Sequence, residues 1–380
     1  TNLARHRGQL EEAIEFARQT LALAAPDDAL LRSYGHLGLA HTYRELGDYE
    51  QSLSAYVEGM PLARAAGNIA AANIAAFYLC RVLQLQGHLH QAAEVVREAL
   101  RLTESQGLGQ SPASAILHIA LANLLCEWNE LQQAQAHLLR GQELSRLGGH
   151  HELQRNCGIV LARLRLVQSD PAGALAAISE AEQATAKAEM PLTSAELAAY
   201  KARIWLAQGD MAAAARWAEE AAHRPGQDHG YTRQIETVTL ARVLLAQGKL
   251  DQAISQLTAC QQAAEESGGL GWAVEIGILS ALVHEARGHR AEALVDLERA
   301  LAQAEPEGYV RTFLDEGEPM KDLLSQILVT QRKEHRAPSR GISLNYVARL
   351  LAAFGEEAEL SSTVAESLVE PLTEREIDVL

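Results

Sequence analysis

Leu240-Ala241-Arg242-Val243-Leu244-Leu245-Ala246-Gln247-Gly248-Lys249-Leu250-Asp251-Gln252-Ala253 reads as the end of one amphipathic helix, a glycine stop, and the start of a second helix turning back. Gly248 can take the left-handed backbone conformation that closes a helix and that residues with a β-carbon resist. Ala241 and Ala253 are small enough to let the two helices approach closely. The same arrangement recurs at Gly8/Ala13, Gly47/Ser52, Gly87/Ala92, Asn129/Ala134, Ser169/Ala174, Gly209/Ala214 and Gly288/Ala293. Successive turn residues lie 39, 40, 42, 40, 40, 39 and 40 residues apart. So steady a spacing predicts an all-α helical-repeat solenoid of about eight hairpins, each buried against the next, leaving one long trough.

At 380 residues the chain is too long for one conventional core, and a solenoid evades that limit by adding units end to end. Lys and Arg number 33 against 49 Asp and Glu, a net charge of −16. That balance disfavours a uniformly basic nucleic-acid binder and general attraction to anionic membranes. No apolar run approaches the roughly 20 residues that span a bilayer, and no signal peptide opens the chain. Cys80, Cys126, Cys157 and Cys260 lie far apart without metal-type pairing and read as buried, reduced thiols of a cytoplasmic protein. The chain opens Thr1-Asn2-Leu3 in mid-unit and stops at Leu380 inside a starting helix, so a fragment of a longer protein is expected.

The repeat pattern occupies 1–304, with a first and a second helix in each unit. Unit four starts with Ser111-Pro112, a capping side chain followed by a proline suited to the first helical position. Its turn uses Asn129, the next most tolerant residue after glycine, and Asp170 is placed to cap the second helix of unit five. Past Ala304 the pattern changes, and 305–354 reads as additional helices, near 320–331 and 343–354, closing the solenoid. A basic, Pro-containing loop at 332–340 separates them. Residues 355–371 read as a solvated acidic linker, since 355–370 carry five Glu and no Lys or Arg. At 372–380 Thr373 and Glu376 have the spacing of a capping box, with Leu372 and Ile377 as its hydrophobic staple.

Unit two, with Ala40, Tyr43, Gly47, Tyr49, Ser52 and Tyr56, resembles a tetratricopeptide repeat, although the period is near 40 rather than about 34. The resemblance implies a right-handed tetratricopeptide-like superhelix. Pro371-Leu372-Thr373-Glu374-Arg375-Glu376-Ile377-Asp378-Val379-Leu380 resembles the opening of a LuxR-type helix-turn-helix, L-T-x-R-E-x-E-V-L. Leu372, Thr373, Arg375, Glu376, Val379 and Leu380 match it, and Asp378 stands where Glu is usual. The stretch from Gly308 to Met320, GYVRTFLDEGEPM, is similar to one that precedes that domain in large ATP-binding LuxR-family (MalT-like) transcriptional regulators, and LARVLLAQG at 240–248 is typical of their repeat region.

What this resemblance implies is the sensor region of a transcriptional activator. An inducer or regulatory protein would bind in the concave groove and relieve autoinhibition. Nucleotide-binding and DNA-binding domains of the same polypeptide, with ATP as cofactor and self-association on DNA, would lie outside this chain. No G-x-x-x-x-G-K-[ST] loop occurs, so neither a cofactor nor an enzymatic activity is expected of this stretch itself, and with the recognition helix not included neither is DNA binding. The competing reading is a tetratricopeptide scaffold whose groove holds a peptide or partner helix and no small molecule.

In such a superhelix the residue after the small first-helix position points into the groove, which selects His41, Arg81, Asn123, Arg163, Arg203, Arg242 and Leu282. Arginine forks recognise carboxylates and phosphates, so this column could hold an anionic ligand or an acidic segment. Equally, each Arg could pair with an acid on its neighbour, such as Glu236 or Glu196, and only lock unit to unit. Tyr34, Arg44, Phe77 and Gln84 occupy other groove-facing registers, where flat faces beside polar groups suit sugars and nucleobases. Trp205 and Trp272 read as packing. Metal binding by His88/His90 or His150-His151 is not signalled, because carboxylates or thiols at ligand spacing are missing.

Overall fold

The computed structural model describes the backbone of residue 4 and of residues 8–148, 151–187, 191–223, 231–266, 268–334 and 342–367. Among these residues the chain is helices and turns without a strand. Helix α1 (Leu10–Leu23) completes unit one. Units two to four are the hairpins α2 (Ala29–Leu46) with α3 (Tyr49–Ala65), α4 (Ile69–Leu85) with α5 (Leu89–Ser105), and α6 (Pro112–Glu127) with α7 (Leu131–Gly148). Units five and six are α8 (His151–Val167) with α9 (Pro171–Lys187) and α10 (Pro191–Gln208) with α11 (Met211–Ala222). Units seven and eight are α12 (Tyr231–Ala246) with α13 (Leu250–Glu266) and α14 (Leu270–Ala286) with α15 (Arg290–Ala304). A 3-10 turn (Glu305–Glu307), α16 (Arg311–Leu314), α17 (Glu318–Glu334) and α18 (Leu344–Ser367) follow.

The repeat signature has a direct physical counterpart. All eight turn residues are left-handed, including Asn129 (φ 61°) and Ser169 (φ 57°). For a residue with a β-carbon that conformation costs about 1–2 kcal/mol. It is offset by the bonds that close the helix end, Glu130 N donating to Leu125 O at 2.8 Å and Asp170 N to Arg165 O at 2.8 Å. Asp170 then caps α9, accepting from Gly173 N at 2.8 Å. The small residue five positions past each turn has no exposed surface in any of the eight units. Its first-helix counterparts (Ala40, Cys80, Ala122, Ala162, Ala202, Ala241 and Ala281) are at most 2% exposed. Paired small residues are what let the two helices of a hairpin close on each other.

Three expectations are corrected. Ser111 stands at the N-cap of α6 with Pro112 behind it, but its side chain does not cap the helix. The hydroxyl donates instead to Leu108 O at 2.7 Å, which tightens the turn before the helix. Second, α18 continues to Ser367, across most of the stretch 355–371 expected as linker. Third, the trough is not open along its length. The first helices α4, α6, α8, α10, α12 and α14 each touch the next, and α14 also touches α4, so six units close a ring. At this seam Gly271 lies so close to the C-terminal carbonyls of α4 that a β-carbon would sit 2.2 Å from Gln84 O. Unit two lies against unit seven, where the Tyr49 hydroxyl donates to Gln234 Oε1 at 2.7 Å.

Candidate functional site

The inner wall of the ring carries polar residues in two layers set by helical register. One is the expected column, six residues before each turn. The other lies seven residues earlier, close to two helical turns, and so on the same helix face. It contributes Asn156, Glu196 and Glu275. The two layers meet across the ring. Arg81 Nη2 donates to Glu196 Oε1 at 2.9 Å, spanning units three and six, and Arg155 Nη1 donates to Glu196 Oε2 at 2.6 Å. Asn156 Oδ1 lies 3.5 Å from Arg81 Nη1 and 3.4 Å from Arg155 Nη2. Arg163 reaches Asn123 Oδ1 at 2.5 Å and Glu127 Oε2 at 3.0 Å. Glu275 takes Arg203 at 3.2 Å and Arg242 at 2.8 Å, while Arg242 also holds Glu316. Arg203 Nε donates to Thr239 Oγ1 at 2.9 Å.

Burial alone would push the Glu275 carboxyl up, but the Arg203 and Arg242 guanidiniums outweigh it and hold the group below the usual carboxylate range. For Glu127 burial wins: its carboxyl is raised despite Arg163 and two bonds from Thr312. Buried ion pairs of this kind gain little net stability but enforce one geometry, since breaking one strands a charge away from water.

This network walls a cavity of about 190 Å³. Of the eleven residues selected from sequence, Phe77, Arg81, Gln84, Asn123 and Arg163 line it. Arg203 and Arg242 belong to the surrounding network without lining the cavity. The remaining four lie elsewhere. Tyr34 is half exposed, its hydroxyl accepting from Asn68 Nδ2 at 3.2 Å. His41 Nδ1 is 2.7 Å from the Tyr56 hydroxyl. Arg44 is buried over the Tyr78 ring at 4.8 Å. Leu282 is buried among core residues.

The matching start of a helix-turn-helix at Leu372, Thr373, Arg375, Glu376, Val379 and Leu380, and the loop 332–340, fall outside the residues whose side chains are described. Sequence reasoning left out Tyr200, Trp272 and Tyr309, which complete the aromatic lining, and Glu127, Asn156 and Glu275, which complete the polar one. The register shared by Asn156, Glu196 and Glu275 was a usable signal. Nothing local marks Tyr309, which reaches the cavity from a segment outside the repeats. All four cysteines are free and buried, and burial raises the Cys80 and Cys157 thiols to about 12. Among the described residues no helix is long and apolar enough to cross a membrane.

Residues 1–331 match the family model described as the MalT-like TPR region. The HTH-type transcriptional regulator MalT of Yersinia enterocolitica is 26% identical over 314 residues, 79% of this chain and 34% of that protein. MalT of Yersinia pestis is likewise 26% identical, over 315 residues, with the same shares of each chain. The chain thus spans about a third of the length of the curated relatives it matches. Among solved structures, a tetratricopeptide repeat protein from Parabacteroides merdae is 15% identical with a TM-score of 0.39, covering 77% of this chain and 97% of that one. A Rap protein complexed with Competence and Sporulation Factor is 14% identical with a TM-score of 0.39, covering 94% and 85%.

Proposed function

The chain belongs to the MalT-like TPR region family, and on that premise we propose that it is the effector-sensing domain of a transcriptional activator, binding a small polar inducer inside the ring. The observation that carries this reading is the cavity of about 190 Å³, walled by guanidinium, carboxylate and amide groups beside the Phe77, Tyr200 and Trp272 rings. Apolar faces flanked by a few fixed polar groups are what small-molecule sites provide. Size separates this reading from the scaffold alternative: an α-helix with its side chains is about 10–12 Å across and needs an open groove, not a closed ring. ATP binding, DNA binding and self-association belong, on this reading, to other parts of a longer polypeptide. Within the chain, the sensor is a non-catalytic helical-repeat fold.

A thermal-shift screen of metabolites is the first test, because a ligand selective for the native state raises the apparent melting temperature. A hit is then titrated by calorimetry against Gln84→Ala, which removes a cavity-lining amide that carries no ion pair, and against the Arg163→Gln/Arg203→Gln pair. The reading requires affinity to fall in both variants, by more than any loss of melting temperature explains. Unchanged affinity in both rejects it.

A further inference from the structure

Outside the repeats, residues 309–316 run across the ring between two left-handed glycines, Gly308 (φ 69°) and Gly317 (φ 71°). We infer that this segment is a strap whose seating reports the state of the cavity to the C-terminal helix α18, because its ties are made to the side chains that wall the cavity. The inference rests on the cavity being the effector site only for what moves the strap; the ties themselves are contacts within the chain.

Two side-chain ties hold the strap, and each goes through a shared group, the Glu127 carboxylate on one side and the Arg242 guanidinium on the other. Glu127 Oε1 accepts from Thr312 N at 2.9 Å and from Thr312 Oγ1 at 2.7 Å. The other oxygen of the same carboxylate takes Arg163 of the cavity wall at 3.0 Å. On the far side, Glu316 of the strap pairs with Arg242, whose other Nη is held by Glu275 at 2.8 Å. A solute that gives a hydrogen bond to Glu127 therefore competes with Thr312 for one buried carboxylate, and one that takes a hydrogen bond from Arg163 draws away the cation that the same carboxylate holds. In a close-packed interior such a change is not absorbed by solvent.

The strap is in turn the seat of α18. Tyr309 lines the cavity, and its carbonyl accepts from the Tyr346 hydroxyl at 2.6 Å. Phe313, without exposed surface, meets the Tyr346 ring edge-on at 6.3 Å. At the strap's entry Glu305 accepts from Ser343 N, just before α18, at 2.8 Å. Cavity wall, strap and α18 are thus one contiguous set of contacts, with glycine hinges at both ends of the middle piece.

Hydrogen exchange on the ligand-free 380-residue chain tests this directly. Thr312→Val removes one tie from the strap side and leaves the Glu127–Arg163 pair intact; Glu127→Gln removes the charge that both partners share. The expected result for Thr312→Val is a tenfold or larger loss of protection across 310–316, with a parallel loss across 344–354 and none across the first helix of unit two. Loss in the strap without loss in 344–354 overturns the inference, as does unchanged protection in both segments. Should Glu127→Gln loosen the whole ring, Thr312→Val alone decides. A failed ligand screen would leave these measurements standing, and unchanged exchange would leave the cavity open to its own test.

Discussion

Replacing Glu196 with glutamine takes one negative charge out of the middle of the ring. The carboxylate is 3% exposed and serves two guanidiniums, Arg81 at 2.9 Å and Arg155 at 2.6 Å, the latter 6% exposed. Neither arginine can shed its proton, so the variant leaves buried Arg155 and part-buried Arg81 with a neutral amide, beside Asn156 Oδ1, in place of the carboxylate they share. Breaking a buried pair from one side costs about 3–5 kcal/mol, and glutamine's remaining oxygen argues for the lower end, about 3 kcal/mol. An unfolding entropy of about 2.1 cal/mol/K per residue amounts to about 0.8 kcal/mol/K for a chain of 380 residues, so a fall of about 4 °C is expected here. Urea titration followed by far-ultraviolet circular dichroism, alongside calorimetry, reads both quantities. The exposed control Glu94→Gln should stay within about 0.5 kcal/mol. Adding Arg81→Met to Glu196→Gln should recover part of the loss, since it removes one of the two cations that shared the lost charge. A cost below about 1 kcal/mol, the range of a solvent-screened pair, would refute the claim that this network is buried and mutually dependent.

Other consequences are equally open to measurement. Gly271→Ala places a β-carbon 2.2 Å from Gln84 O, backbone that cannot rotate away, so the seam must part. The expected result is a larger radius of gyration by small-angle scattering and a loss of about 1–3 kcal/mol; unchanged scattering would mean the ring is not closed there. Ser169→Gly relieves a left-handed residue and should stabilise the chain by up to about 1 kcal/mol, whereas Gly209→Ala should cost a similar amount; the same sign for both in urea melts would contradict the turn assignment. His118 and His137 share a hydrogen bond at 2.9 Å, and burial, with His137 and Arg140, pushes the His118 imidazole from 6.5 down to about 4. Between those values the unfolded chain binds a proton that the folded chain refuses, so stability falls as pH drops from about 6.5 to 4. In His118→Gln that part of the pH dependence should flatten, which pH-resolved urea melts would show.

The hairpins were legible because their causes are local. A left-handed stop and a small residue five positions on act within about one turn of their own position, so eight copies of a forty-residue pattern identify eight units without any view of their assembly. The same register logic pointed to Arg81, Asn123 and Arg163, since residues at one offset from the turn share one helix face. It missed on Tyr34 and Arg44, which occupy matching kinds of position in unit two. Unit two precedes the six units that form the ring, so its inner face meets other surfaces.

Curvature is what separated the two levels. Whether stacked hairpins make an open trough or a closed ring depends on small rotations between units, summed over six of them, and no single unit records that sum. Closure brings Gly271 to Gln84 and Glu196 to Arg81, partners more than a hundred residues apart, and it brings the 309–316 segment across the ring. The sequence by itself therefore determined the helices, the repeat and the family. Only the tertiary structure decided which charges face each other, where the cavity lies and what spans it, because those pairings arise from long-range geometry rather than from neighbours in the chain.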